Sequence, residues 1–123
     1  MRVVIVEPGE PARVADIEHS LAGFQKVVGG SVECYDNFAE DCVIVGVSEG
    51  ELGSEPIMNR AIATPDGKLR DVLCGTFFIC GISAANKAFE GLTDEQAVFY
   101  AEMFKKPHTF KFDENGIVVD IGM

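Results

Sequence analysis

Asn59-Arg60 places an amide directly beside a planar cation, in a 123-residue chain with only 10 basic residues against 20 acidic ones. A guanidinium presents a rigid fork of donors that matches carboxylate or phosphate oxygens, and an asparagine amide both donates and accepts. Further on comes Gly75-Thr76-Phe77-Phe78-Ile79-Cys80-Gly81, an apolar run between glycines that carries one hydroxyl. Read as a strand, it puts Thr76, Phe78 and Cys80 on one face and Phe77 and Ile79 on the other. One phenylalanine is then expected to enter the core, leaving the other to line a pocket and stack on a base or ring. The candidate ligand-binding set is Asn59, Arg60, Thr76 and Phe78. The competing reading is that both phenylalanines pack and Arg60 pairs with one of the many acids.

Other chemistry finds less support in the residue pattern. The loop after the first apolar run holds a single glycine, Gly9, flanked by Pro8 and Pro11, whereas a dinucleotide loop needs several for close backbone approach to pyrophosphate. Neither His19 nor His108 has a histidine or carboxylate at a ligand spacing that repeats a known metal site, so no metal is expected. Cys80 with either histidine is a conceivable nucleophile and base, but nothing in the sequence draws them together. No catalytic residue and no cofactor is assigned. Cys34, Cys42, Cys74 and Cys80 lack Cys-x-x-Cys spacing and lie in apolar, strand-like contexts. They read as reduced, buried structural thiols of a cytoplasmic protein.

The net charge of −10 disfavours duplex DNA and anionic lipid, where phosphate neutralisation carries the affinity. It favours solubility or a basic protein partner. The acids are scattered; the densest groups, Glu49, Glu51 and Glu55, then Asp113-Glu114, fall at expected turns and read as solvated surface. Hydrophobic residues at 47% and charged residues at 24% describe an ordinary globular chain. No apolar run approaches the roughly 18 residues of a membrane helix, and the run in Met1–Glu7 is too short for a signal peptide.

The elements that must hold these residues follow from periodicity. Residues 2–7 form a strand, and Pro8-Gly9-Glu10-Pro11 ends it. Val14, Ile17, Leu21, Phe24 and Val28 recur at three and four, predicting one helix from Pro11 to about Val28, stopped by Gly29-Gly30. Residues 31–38 alternate like a half-buried strand and Cys42–Ser48 reads as an inner one. Pro56 makes residues 52–62 ambiguous. Thr64-Pro65-Asp66-Gly67 is a turn, with strands at 68–73 and 75–82 around a glycine bend. Ser83–Gly91 reads as loop or short helix. Thr93 and Gln96 form a capping box that opens a second helix, ended before Pro107. Phe110–Phe112 and Ile117–Ile121 flank Asn115-Gly116, a hairpin signal. The expected fold is α+β: a mixed, mainly antiparallel sheet packed by two helices, with a C-terminal β-hairpin. Residues 1–107 make the body and 108–123 a hairpin extension of the same domain. The first helix's stripe or the hairpin's open edges are candidate contacts in a homo-oligomer.

The chain resembles a family of small bacterial, plasmid and phage proteins, the domain of unknown function 3846. The resemblance rests on Val3-Val4-Ile5-Val6-Glu7-Pro8-Gly9, Val28-Gly29-Gly30 with Val32-Glu33, Pro56-Ile57-Met58-Asn59-Arg60, Asp71–Ile79 and Phe104-Lys105-Lys106-Pro107. It covers roughly residues 1–107, with the closing hairpin an addition. The resemblance implies a small non-catalytic accessory protein of a phage or mobile element that acts in counter-defence by binding. One form is the sequestration of a host nucleotide-type small molecule, with Arg60 on phosphate, Phe78 stacking, and Asn59 and Thr76 hydrogen-bonding in a pocket completed by a second copy. The other is an acidic inhibitor that occupies a basic, nucleic-acid-binding surface of a host enzyme.

Overall fold

Period-two alternation in the first strand builds both faces of the sheet at once. In Arg2–Val6 (β1), Val4 and Val6 face one layer, Val3 and Ile5 the other, and all four are buried. Phe77–Ile82 (β7) does the same: Phe77 and Ile79 join the layer of Val4, while Phe78 and Cys80 join that of Val3. The structure is a computed structural model that describes residues 1–35, 39–52, 57–63, 66, 68–114 and 116–120.

The chain is α+β. Its main sheet adds Arg13–Asp16 (β2), Val32–Tyr35 (β3), Cys42–Val47 (β4) and Phe89–Glu90 (β8), in the order β2-β1-β7-β4-β3 with β8 on the end of β7. Met58–Ala63 (β5) pairs with Leu69–Cys74 (β6), and Thr109–Asp113 (β9) with Gly116–Asp120 (β10), in two separate ribbons. The expected α+β fold with a mainly antiparallel sheet is what forms, and every ladder among the described residues is antiparallel. Neighbours in sequence pair as hairpins in β1–β2, β3–β4, β5–β6, β7–β8 and β9–β10, while β7 crosses back to lie between β1 and β4.

Two helices cover the two faces. Leu21–Val28 (α1) lays Phe24 and Val28 on Val3, Val43, Val45 and Phe78. Asp94–Met103 (α2) lays Ala97 and Tyr100 on the opposite face, and Phe104 at its end completes that core. The capping box of α2 forms as expected: Gln96 N–H donates to Thr93 Oγ1 at 3.1 Å, and Thr93 N–H to Gln96 Oε1 at 2.9 Å. Gly29 ends α1 at φ 86°, where glycine carries no Cβ penalty.

The long first helix is a correction. Its predicted first half, Arg13–Asp16, is β2, paired with β1 in the register Arg2↔Asp16 through Ile5↔Arg13. The three-and-four spacing of Val14, Ile17 and Leu21 is compatible with a helix, but two local features and one tertiary one favour a hairpin. Gly9 at φ 75° lets the chain reverse, with Glu10 N–H bonded to Glu7 O. Ser20 Oγ accepts from Gly23 N–H, so the N-cap lies at Ser20. The edge of β1 then supplies a ladder that an isolated helical half-turn cannot match. His19, expected on a helix face, lies in the loop before α1 with its ring 6.1 Å from Phe24.

β3 covers Val32–Tyr35, and the expected continuation through Asp36 and Phe38 lies outside the described residues. So do Pro56, the 64–67 turn apart from Asp66, and Asn115 in the turn between β9 and β10. Cys42 and Cys80 are buried and Cys74 is half-buried, as structural thiols should be; Cys34 is exposed, because β3 is an edge strand.

Gly23 gives a test of this packing. A Cβ there would overlap the Glu18 carbonyl oxygen and lie 2.7 Å from Glu18 Cβ. Alanine ordinarily stabilises a helix over glycine by about 1 kcal/mol. Here Gly23→Ala is expected to destabilise by roughly 1–3 kcal/mol, read as a lower urea midpoint; a raised midpoint would show that the 18–20 turn yields.

Candidate functional site

In a strand of a two-stranded ribbon with one face covered, alternation buries every second residue, yet the neighbours Asn59 and Arg60 on β5 are both fully buried. The ladder to β6 explains it: the register shifts between Met58 and Arg60, a bulge that turns both side chains inward. Asn59 Nδ2 donates to Val6 O at 2.9 Å and to Gly75 O at 2.8 Å. Its Oδ1 accepts from Arg60 Nη1 at 2.8 Å.

Arg60 uses all three of its nitrogens. Nε and Nη2 both donate to Phe104 O, at 3.3 and 2.9 Å, and Nη2 also donates to Glu10 O. Nη1 reaches Asn59 O at 3.2 Å as well as Oδ1. Phe104 is the C-cap of α2, so the guanidinium meets an orphan carbonyl at the negative end of the helix dipole. Among the described residues no carboxylate pairs with it. Burial lowers its pKa, but a guanidinium stays protonated in proteins, and neutral oxygens solvate the charge in place of water.

The four candidate residues therefore do not converge. Arg60 lies on the α2 side of the sheet, with Phe104. Phe78 lies on the α1 side, fully buried with its ring 5.4 Å from Phe24. Phe77, expected as the alternative pocket ring, is also buried, edge-on to Phe104 at 5.5 Å. The expectation that one phenylalanine stays available is corrected, because β7 runs between β1 and β4 with a covered layer on each face. The rival expectation of an Arg60–carboxylate pair is replaced by the carbonyl cluster. Cys80 is buried on the Phe78 face, its thiol pushed up to about 12 by burial, which leaves it no thiolate for attack.

Of the set, Thr76 is half-buried and reaches a groove. This groove of about 470 Å³ runs between β1–β2 and α1, lined by Ile5, Ile17 and Val27, the cations Arg13 and Lys26, the acids Glu7, Asp16 and Glu18, and Thr76. Arg13 Nη2 is held by Glu7 Oε1 at 2.6 Å at its rim. A second groove of about 500 Å³ opens on the other face, between β3–β4 and the β5–β6 ribbon. Ile44, Val47, Leu73 and Phe77 line its apolar part, and Glu33, Glu49 and Asp71 its polar part. Asp71 accepts a hydrogen bond from Tyr35, whose pKa is raised by burial and then by that carboxylate. Arg70 lies over the Tyr35 ring, its Cζ 5.7 Å from the centroid. Sequence reading assigned Glu49 to solvated surface and passed over Glu33 and Asp71. Acids far apart in the chain carry no spacing signal until the β5–β6 ribbon folds over β3. No group of three or more metal-ligating side chains is found among the described residues, and no described helix is long and apolar enough to cross a membrane.

His108 is tied into the arginine cluster. Its Nδ1 accepts from Ala61 N–H at 2.9 Å, which requires the neutral ring. Burial, and then the charge of Arg60, lower its pKa below the ordinary 6.5.

Arg60→Ala strips the partner from Phe104 O, Glu10 O and Asn59 Oδ1, and is expected to cost roughly 3–5 kcal/mol in denaturant unfolding. Loss below about 1 kcal/mol would mean that water replaces the guanidinium without penalty. For His108 the folded pKa lies below the unfolded one, so its contribution is complete above pH 6.5 and lost as pH falls through the folded value. The urea midpoint is expected to drop from pH 7 to pH 5 more steeply in wild type than in His108→Gln; equal slopes would remove His108 as a cause.

The family model described as Domain of unknown function (DUF3846) matches residues 1–105 of the 123. No curated protein and no solved structure matches the chain.

Proposed function

We propose a binding role for this chain, which belongs to the DUF3846 family, a domain of unknown function: it is a small non-catalytic protein whose negative surface occupies a basic surface of another protein. The observation that carries this reading is the groove that sets Glu33, Glu49 and Asp71 beside the half-buried Val47, Leu52 and Leu73, over a floor of core residues. Apolar contact area with fixed carboxylates beside it suits a lysine- or arginine-rich segment, whose aliphatic stems pack while their charges pair. The rest of the molecule reinforces the sign. Arg60 is withdrawn from the surface, and Arg2 and Arg13 are paired with Asp94 and Glu7. The setting we propose is the cytoplasm of a host cell, as an accessory product of a phage or mobile element in counter-defence.

A second reading keeps a nucleotide-type small molecule as the sequestered ligand. It is favoured by the other groove, where Thr76 stands with Lys26 and with Arg13, the latter held by Glu7, so that Lys26 takes the place first given to Arg60 beside the acids Asp16 and Glu18.

Fluorescence anisotropy with a labelled lysine- and arginine-rich peptide tests the first reading. Affinity is expected to fall steeply with salt, and to drop at least about tenfold in the triple variant Glu33→Gln, Glu49→Gln, Asp71→Asn. Equal weakening by Glu18→Gln with Glu114→Gln would reduce the binding to general charge and reject the groove. A thermal-shift panel of cyclic dinucleotides and ADP-ribose decides the second: a shift abolished by Lys26→Ala supports it, and a flat panel rejects it.

A further inference from the structure

Helix α2 is apolar on both sides. Ala97, Tyr100 and Phe104 are buried against the sheet, while Val98, Phe99 and Met103 on the other side are 64%, 58% and 47% exposed. A surface helix normally turns a polar face outward. Phe99 and Met103, four residues apart, form one outward stripe, and Phe99 is braced edge-on by Tyr100 at 5.1 Å. Val14 of β2, 49% exposed, faces the same layer, since its ladder partner Val4 points to the α2 side.

The charged residues within α2, Asp94, Glu95 and Glu102, are all acidic, and a basic pair, Lys105 and Lys106, lies just past its C-cap. We propose that the occupant of this face is a second copy of the chain, docked through α2 about a two-fold axis with the helices antiparallel. In that arrangement Phe99 of each copy meets Met103 of the other, and Glu95 comes near Lys106 just past the partner helix, because both pairs are nearly symmetric about the same point of the sequence. The interface is isologous and the two helix dipoles oppose. The same rotation brings Lys105 and Lys106, past the end of each helix, toward Glu95 at the start of its mate, which offsets part of the repulsion at net charge −10. Glu102, on the same side, is already within 4.0 Å of Lys105. A helix of 10 residues spans about 15 Å, so with Val14 the contact is small and the dimer weak. The proposal is independent of which ligand the grooves take.

Sedimentation equilibrium over a wide concentration range tests it. Wild type is expected to dimerise, with a dissociation constant raised at least tenfold by Phe99→Glu and, separately, by Met103→Glu. Glu95→Lys and Lys106→Glu are each expected to weaken the dimer several-fold, and the two together in one chain to restore it, which distinguishes antiparallel pairing from general stickiness. A wild type monomeric at every concentration, a dimer indifferent to both glutamates, or a double charge swap weaker than either single one overturns the proposal. Neither exposed side chain belongs to the core, and should Phe99→Glu fail to fold, Met103→Glu and the charge swap still decide. Peptide or nucleotide binding that survives in the monomeric variant leaves the proposed function intact.

Discussion

The buried guanidinium of Arg60 is the constraint around which the α2 side of the molecule is organised. It joins four parts of the chain that are far apart in sequence: the β1–β2 turn through Glu10, the bulge of β5 through Asn59, the end of α2 through Phe104 and, by way of Asn59, the carbonyls of Val6 and Gly75. A buried cation without a carboxylate is tolerable only when every donor finds an oxygen, and among the described residues no buried side-chain polar atom is left unpaired. Each element is therefore restricted to positions that keep its carbonyl on the guanidinium. His108, just past Phe104, ties the same segment to β5 a second time by accepting from Ala61, next to the arginine.

That arrangement decides where binding can happen. A sheet covered on both faces consumes its central strand, and β7 with its two phenylalanines belongs wholly to the core. What remains accessible lies at the margins, in the groove beside β2 and α1 and the groove beneath the β5–β6 ribbon. The first is mixed in charge and the second acidic. An arginine that seemed available for phosphate instead neutralises a helix end, and its withdrawal leaves the exposed surface more negative than composition alone suggests. The apolar outer side of α2 belongs to the same outcome, because the helix is pinned at its C-cap and holds Phe99 and Met103 in fixed exposure.

Much of the scaffold was legible in the residues. The capping box at Thr93 and Gln96, the stop at Gly29 and the alternation within β1 and β7 are local signals, each set by bonds or steric demands within a few residues, and each forms as read. The fold class followed from their order. The region 13–17 was misread because its apolar spacing satisfies a helix and a strand equally over so short a span, and the choice fell to the neighbouring edge of β1. Adjacent polar residues such as Asn59 and Arg60 gave no hint that both turn inward, since a bulge is visible only in the ladder. The candidate ligand set separated across the sheet for a related reason: parity placed Thr76 and Phe78 together correctly, but it carries no information about which face Arg60 occupies.

By itself the sequence determined the elements that depend on near neighbours, the antiparallel α+β class and the strong negative charge, because capping, alternation and ionisation are properties of short stretches or of composition. Only the tertiary structure decided that Arg60 is internal, that both phenylalanines pack, that Glu33, Glu49 and Asp71 meet across one groove and that α2 keeps an apolar outer face. Each of these depends on which surfaces cover one another, and burial is a property of the assembled layers, not of any residue or spacing within the chain.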